Sequence, residues 1–404
     1  MKAEIFKSTA RGSLSLPSSK SVAHRMLISA ALCPEESTLH GITLCDDLSA
    51  TIDCLRALGV RITVTDECIK VMGCDMKATA PTNTLNCRDS ASTLRFMIPS
   101  AALSGAKVTF GGAERRMERP LSVYEELFDE RNLLISKLDR LLFVDGPLPG
   151  GEYKVKGNIS SQFISGLCFA LPLTETDSKI SIITPFESKP YVILTAYILK
   201  KFGIKCGFTS ENTITIRGNQ SYRPVCLTAE GDYSSAAFID ALNLIGSNIK
   251  IKGLSKNSLQ ADRVYKQYFD MLLSGTPKID LADSPDLGPI LFTLAAMHNG
   301  AKFTNTARLG IKESDRSRAM ATELKKFGAD IRIYKNSVII KKAELKSPTR
   351  PLCGHKDHRV VMSLAVISTK YGGVIEGAEA VKKSYPNFFD DISRLGIKLE
   401  LKDE

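Results

Sequence analysis

The densest set of side chains able to do chemistry is the segment LGIKESDR, which gathers Lys312, Glu313, Asp315 and Arg316. Upstream, SPDLGPI carries Asp286; downstream, KDHR brings Asp357, His358 and Arg359, and VKKSYP brings Lys383. Arginine forks match carboxylates with paired hydrogen bonds, and lysine supplies a point charge for phosphate. In the first half, LPSSKSVAHR places Lys20, Ser21 and Arg25 within about a turn and a half of helix, where the two cations could hold an anion. GGAERRMERP sets Gly111, Gly112, Arg116 and Arg119 before Pro120, and SSQF offers Ser160, Ser161 and Gln162, neutral groups suited to phosphate or sugar-like hydroxyls. Each segment alone has a blander explanation: an exposed charge run usually contributes nothing, and a serine at a helix start is usually a cap. The five histidines show no ligand-spaced cluster, so no metal and no cofactor are expected.

The side chains need a scaffold. A chain of 404 residues, 43% hydrophobic and 24% charged, has ordinary globular composition but too much length for one core. Two or more domains are expected. The N-terminus has no apolar run after its basic residues and reads as no signal peptide. No stretch approaches the ~20 apolar residues of a membrane helix. Ten scattered cysteines without a CxxC pair read as reduced, which points to the cytoplasm. The formal charge of +10 is spread out, without a Lys/Arg run or interleaved aromatics. That suits small anionic substrates better than nucleic acid or a membrane surface.

One unit recurs along the chain. A small or acidic cluster opens an apolar helical stretch at PSSKSVAHRMLISAAL, RDSASTLRFMIPSAAL, NISSQFISGLCFALPL, EGDYSSAAFIDALNLI, SPDLGPILFTLAAM and HKDHRVVMSLAVIST. The markers Ser18, Asp89, Ser160, Asp232, Asp286 and Asp357 recur at roughly 70 residues, with one interval nearer 54, as duplicated supersecondary units do. Between openings, helical stretches run into a glycine and a β-rich segment, as in CLRALGVRITV and ISRLGIKLEL, the pattern of a helix C-cap followed by a strand. Each unit therefore reads as roughly βαβαββ. The chain is α/β, six units in two domains of three, and the short interval marks a trimmed unit. Exposed N–H groups at the helix openings are ready to meet anions.

In order, LPSSKS, DSASTLR, ERRMERP, SSQF, SKPY, GDYSSAAF, SPD, KESDR, DHR and KKSYP resemble the EPSP synthase family over essentially the whole chain. The resemblance implies a two-domain inside-out α/β barrel whose connecting strands cross near Gly12 and Leu227. The first domain would be residues 13–227, and the second 1–12 with 228–404. It implies transfer of the enolpyruvyl group of phosphoenolpyruvate to shikimate 3-phosphate, by a monomer that needs only these small-molecule partners. Lys20, Ala91, Arg119, Gln162, Arg316, Arg359 and Lys383 would meet phosphoenolpyruvate, the two arginines Arg316 and Arg359 taking its carboxylate. Lys20, Ser21, Arg25, Ser160, Ser161, Gln162, Ser188, Asp286 and Lys312 would meet shikimate 3-phosphate. Asp286 and Glu313 would be the proton-transfer pair, with Lys20 a third catalytic group.

The chain departs from the family at Gly310, where arginine is usual, and at Asp89 and Ala91 of DSASTLR, where Asn or Glu and Gly are usual. The Ala91 departure implies reduced sensitivity to glyphosate, which is longer than phosphoenolpyruvate. Two alternatives stand beside this reading. A UDP-N-acetylglucosamine enolpyruvyl transferase would carry a cysteine in the loop matching Gly111–Glu114, which here reads GGAE. A non-catalytic polyanion-binding protein would need the cations but not Asp286 and Glu313.

Overall fold

The computed structural model describes residues 1–81, 83–113 and 120–403. Its α-helices, in order, are α1 (Lys20–Ala31), α2 (Asp46–Ala57), α3 (Ala91–Ala101), α4 (Ser122–Asp129), α5 (Ser161–Ala170), α6 (Lys189–Lys201), α7 (Tyr233–Leu244), α8 (Tyr265–Ser274), α9 (Gly288–Met297), α10 (Arg316–Lys325), α11 (His358–Tyr371) and α12 (Phe388–Arg394). Each opening motif starts one of the odd-numbered helices. These helices are apolar nearly all round, and they are buried accordingly: every residue of α1 from Val22, of α9 from Gly288 to Ala296 and of α11 from His358 to Thr369 is buried. Helices such as α8 bury only a stripe, Tyr265, Phe269 and Leu272. Left-handed glycines follow α2, α6, α10 and α12 at Gly59, Gly203, Gly328 and Gly396, where the chain turns toward its next strand.

The sheets repeat one plan. Glu152–Val155 lies parallel to Ser178–Ile182 across α5, and Ser178–Ile182 lies antiparallel to Thr213–Ile216, which pairs with Cys206–Ser210 in a hairpin. Their alternation of buried and exposed residues leaves one sheet face to solvent. Helices inside and sheets outside make each half an inside-out α/β assembly.

The chain divides into two compact units, Ser18–Glu230, and Met1–Pro17 with Gly231–Glu404. Each has its own core. Phe96, Phe110, Phe128, Phe163 and Phe169 belong to the 18–230 unit, and Phe238, Tyr265, Phe292, Phe303 and Phe388 to the 231–404 unit. The expected boundaries at 12/13 and 227/228 fall inside strands. Arg11–Ser15 pairs parallel with Asn248–Lys252, and Cys226–Thr228 pairs parallel with Glu36–His40, so the chain stays with each unit to the strand's end. Lys2–Ile5 also pairs within the 231–404 unit, between Gly373–Glu376 and Leu399–Lys402.

The trimmed unit is the one opened by Asp232. Among the described residues its sheet has two strands where the others have four. After α8 the chain passes through Gly275 directly to Lys278–Asp280, the first strand of the next sheet. The missing piece is a hairpin.

Candidate active site

In the 231–404 unit one guanidinium gathers the charged segments. Arg316, at the start of α10, is 1% exposed. Its Nη1 donates to Asp286 Oδ1 at 2.7 Å, its Nη2 to Glu313 Oε2 at 2.6 Å, and its Nε to Asp357 Oδ2 at 2.9 Å. Asp286 comes from a 3-10 turn before α9, Glu313 from the loop before α10, and Asp357 is the N-cap of α11, accepting from Arg359 N at 2.9 Å. Ser314 Oγ adds a bond to Asp357 at 3.0 Å. Asp286 also receives Arg359 Nη2 at 3.1 Å and Lys312 Nζ at 3.3 Å. Burial opposes ionisation of Asp286, but Arg359, Lys312 and Arg316 outweigh it and hold the carboxyl well below its usual range. Asp286 is therefore a standing anion at neutral pH. Lys312 is pushed down to about 8 by burial, against the pull of Asp286. Asp262, behind Arg359, is pushed up to about 6 by burial and then by the charge of Asp286.

Sequence reasoning thus placed Asp286, Lys312, Glu313, Arg316 and Arg359 in segments that the fold brings into one network. Lys383 is buried at the end of the 3-10 turn Ala378–Lys383. Asp357 had a place in a motif but no role. Asp262, in QADR, carried no local signal at all.

The 18–230 unit is built differently. α3 and α5 pack side by side, and α1 touches α3. Gln162 of α5 donates to Ser92 Oγ of α3 at 2.8 Å, and accepts from Arg95 Nη1 at 3.1 Å. Thr51 of α2 bonds His24 of α1 at 2.9 Å and Thr93 of α3 at 2.7 Å. Arg25 is buried against neutral acceptors, donating to Thr195 Oγ1 at 2.8 Å, Ser21 O at 2.7 Å and Tyr191 O at 3.0 Å. Burial lowers it to about 10. Among the described residues no carboxylate pairs with it. Lys20 donates to Asp47 at 2.7 Å, a partner 27 residues on.

The helix starts carry the remaining expected residues. Ser160 caps α5 by accepting from Gln162 N at 3.3 Å; Ser161 follows, buried. Ala91 is the first residue of α3, 7% exposed, behind the Ser90 cap. Ser188 precedes α6 with φ 58°, left-handed, buried and making no capping bond. A non-glycine residue held there is strained, and strain of this kind gathers at ligand sites. Ser19 at the start of α1 also makes no capping bond, and its buried hydroxyl has no hydrogen-bond partner among the described residues. At the start of α6, Pro190 has no N–H to offer and Tyr191 N donates to Ser188 O at 3.1 Å. Arg116 and Arg119 lie outside the described residues. Cys45, two positions before Asp47, has its thiol pushed up to about 11, by burial foremost, which unfits it as a nucleophile. At Gly310 a Cβ would meet only the Asp315 carboxylate, at 3.9 Å, so nothing steric requires glycine there.

Comparison with known proteins gives the family. The sequence profile of the EPSP synthase (3-phosphoshikimate 1-carboxyvinyltransferase) family matches residues 7–392. A 3-phosphoshikimate 1-carboxyvinyltransferase of Clostridium perfringens is 39% identical over 417 residues, covering 97% of each chain. One from Clostridium kluyveri is 39% identical over 411 residues, covering 96% of each. A solved EPSP synthase from Acinetobacter baumannii superposes with a TM-score of 0.82 at 21% identity over 100% of both chains, a likeness of fold. These matches lend no support to the UDP-N-acetylglucosamine transferase or polyanion-binding alternatives. By profile, by identity over nearly its whole length and by fold, the chain belongs to the EPSP synthase (3-phosphoshikimate 1-carboxyvinyltransferase) family.

Proposed function

We propose that this chain transfers the enolpyruvyl group of phosphoenolpyruvate to the 5-hydroxyl of shikimate 3-phosphate, releasing phosphate by addition and elimination. The observation that carries the residue assignment is the Asp286–Arg316–Glu313 bridge, two carboxylates from separate segments fixed by one buried guanidinium. In addition, the hydroxyl loses its proton as its oxygen bonds to C2, and C3 gains a proton to become a methyl group. In elimination, C3 loses a proton and the C2–O bond to phosphate breaks. Two positioned carboxylates meet these needs. Asp286, held ionised, accepts the hydroxyl proton. Glu313 serves the donor carbon, delivering and then removing the proton at C3.

Arg316 and Arg359 take the donor carboxylate. Lys20 and Lys383 lie at its phosphate, joined by Arg119 and Gln162, with Ala91 shaping the wall. Arg25, Ser21, Ser160, Ser161, Gln162, Ser188, Lys20, Lys312 and Asp286 hold shikimate 3-phosphate. Massed cations offset the repulsion between two polyanions, and orientation alone can contribute ~7–11 kcal/mol. The enzyme acts as a monomer in the cytoplasm, which light scattering and cell fractionation check. The primary test is phosphate release with each substrate alone and with both. Release only with both is expected; release from phosphoenolpyruvate alone, or none with both, contradicts the reading.

A further inference from the structure

α10 presents two charged groups on one face. Arg316 and Glu323 stand seven positions apart, close to two helical turns, so their side chains leave the helix on the same side. Both end on the chain running from strand Leu352–Cys353 into α11. At the start of α10, Arg316 grips Asp357. Near its end, Glu323 grips the residues just before it. The Glu323 side chain is 1% exposed. Its Oε2 accepts from Cys353 N at 2.9 Å and from Lys326 Nζ at 2.8 Å, and its Oε1 lies 2.9 Å from His355 Nε2. Lys326 also donates to Pro351 O at 2.8 Å. Between these two grips lie His355 at φ 51° and Lys356 at φ 54°, two consecutive side-chain-bearing residues in the left-handed region. That backbone is disfavoured for both, and it persists only where surrounding contacts over-determine it. Asp357 follows at once, with its bonds to Arg316 and Ser314, and then Arg359, with its bonds to Asp286.

We propose that Glu323, outside the active site, is a positioning residue. Its clasp on Cys353 and His355 holds the strained 355–356 turn in the one conformation that sets Asp357 against Arg316 and Arg359 against Asp286. Without the clasp the turn relaxes toward ordinary backbone angles. The first turn of α11 rotates with it, and Arg359 loses its aim. The inference rests on the assignment of Arg316 and Arg359 to the donor carboxylate. Loss of the clasp is therefore felt chiefly by phosphoenolpyruvate, since most of the residues proposed to hold shikimate 3-phosphate lie in the 18–230 unit and only Lys312 and Asp286 in the 231–404 unit.

The experiment compares wild type, Glu323→Gln and Glu323→Ala, each with and without the pair His355→Gly and Lys356→Gly. Glycine occupies the left-handed region freely, so it removes the strain that the clasp contains. Glu323→Gln is expected to raise KM for phosphoenolpyruvate about tenfold, the scale of one residue's left-handed strain, and Glu323→Ala by more. The dissociation constant of shikimate 3-phosphate, measured by calorimetry, should stay within about twofold. The paired glycines should return the KM of either variant most of the way to wild type. Should Glu323→Ala fail to fold, Glu323→Gln with and without the glycines carries the test. An unchanged KM in Glu323→Gln overturns the proposal. So does an equal loss toward both substrates that glycine does not rescue, since that is a general packing defect. Wild type without turnover would instead sink the functional assignment itself.

Discussion

Two of the molecule's buried arginines, one in each unit, answer their charge in opposite ways. Arg316 is met by three carboxylates, which raise its pKa despite burial. Arg25 is met by a hydroxyl and two carbonyls. The helix starts around them follow suit. In the 231–404 unit, Asp232, Asp315 and Asp357 cap α7, α10 and α11 with carboxylates. In the 18–230 unit, serines cap α3 and α5, while α1 and α6 have no side-chain cap. One half answers its buried guanidinium with carboxylates, two of which the proposed reaction uses for proton transfer. The other sets its buried guanidinium against neutral acceptors, and the proposed function brings an anionic substrate to it. Repeats of one architecture thus carry different groups at their helix starts.

The comparison breaks most visibly at Glu313. Glu313→Ala should lower kcat by about 10²–10⁴ while leaving shikimate 3-phosphate binding nearly intact. Near-normal turnover would mean that Asp286 acts alone. Lys20→Ala should also abolish turnover, but through weakened donor binding and slower phosphate departure, which separate measurements of donor affinity and phosphate release distinguish.

The two arginines supply the next test. Arg316→Met removes the guanidinium that Asp286, Glu313 and Asp357 share, leaving Asp286 only Arg359 and Lys312, and breaking such a buried arrangement costs about 3–5 kcal/mol in urea unfolding. Arg25→Met strands only neutral acceptors, at about 1–3 kcal/mol. Equal losses would erase the contrast between the halves.

A smaller effect is expected at Ala91, where one methyl group narrows the start of α3. Tight sites tolerate added volume poorly, at roughly 1–3 kcal/mol. Ala91→Gly should make the enzyme more sensitive to glyphosate by a corresponding factor, with little change in phosphoenolpyruvate affinity. Equal inhibition of the two proteins would show that the methyl group does not shape the pocket.

Lys312 gives the mildest signal. Its pKa near 8 means that it loses its charge as pH rises through that value. A cation needed for an anionic substrate is then fully present below pH 8 and fades above it, so KM for shikimate 3-phosphate should rise several-fold between pH 7 and 9. Lys312→Arg should flatten that rise, since arginine stays charged throughout. A profile identical in both proteins would assign the titration elsewhere.

Much of this architecture was legible in the sequence because it repeats. Opening clusters and helix-ending glycines are local signals, and Gly59, Gly203, Gly328 and Gly396 adopt the left-handed backbone that such punctuation needs. The short spacing after Asp232 announced a trimmed unit, but only the strand pairing shows that a hairpin is what is missing. At the site, runs such as KESDR stood out because their residues are adjacent in the chain. Partner choice did not. That Arg316 joins Asp286 and Asp357, 30 and 41 residues away, depends on how three helix starts pack. Asp47, Asp262 and Glu323 sit in unremarkable sequence and matter through tertiary contacts alone. Arg119 lies outside the described residues, so its assignment rests on the resemblance.

The most direct measurement of the central claim is deuterium incorporation during turnover in heavy water. If a carboxylate delivers a solvent-derived proton to C3 and then removes one from the resulting methyl group, the three hydrogens of that group become interchangeable. With both substrates present, deuterium should therefore appear in the enolpyruvyl methylene of the product, and Glu313→Ala should fall in incorporation and turnover together. A product formed at the normal rate with no deuterium at that carbon would contradict the addition–elimination route and the role assigned to Glu313.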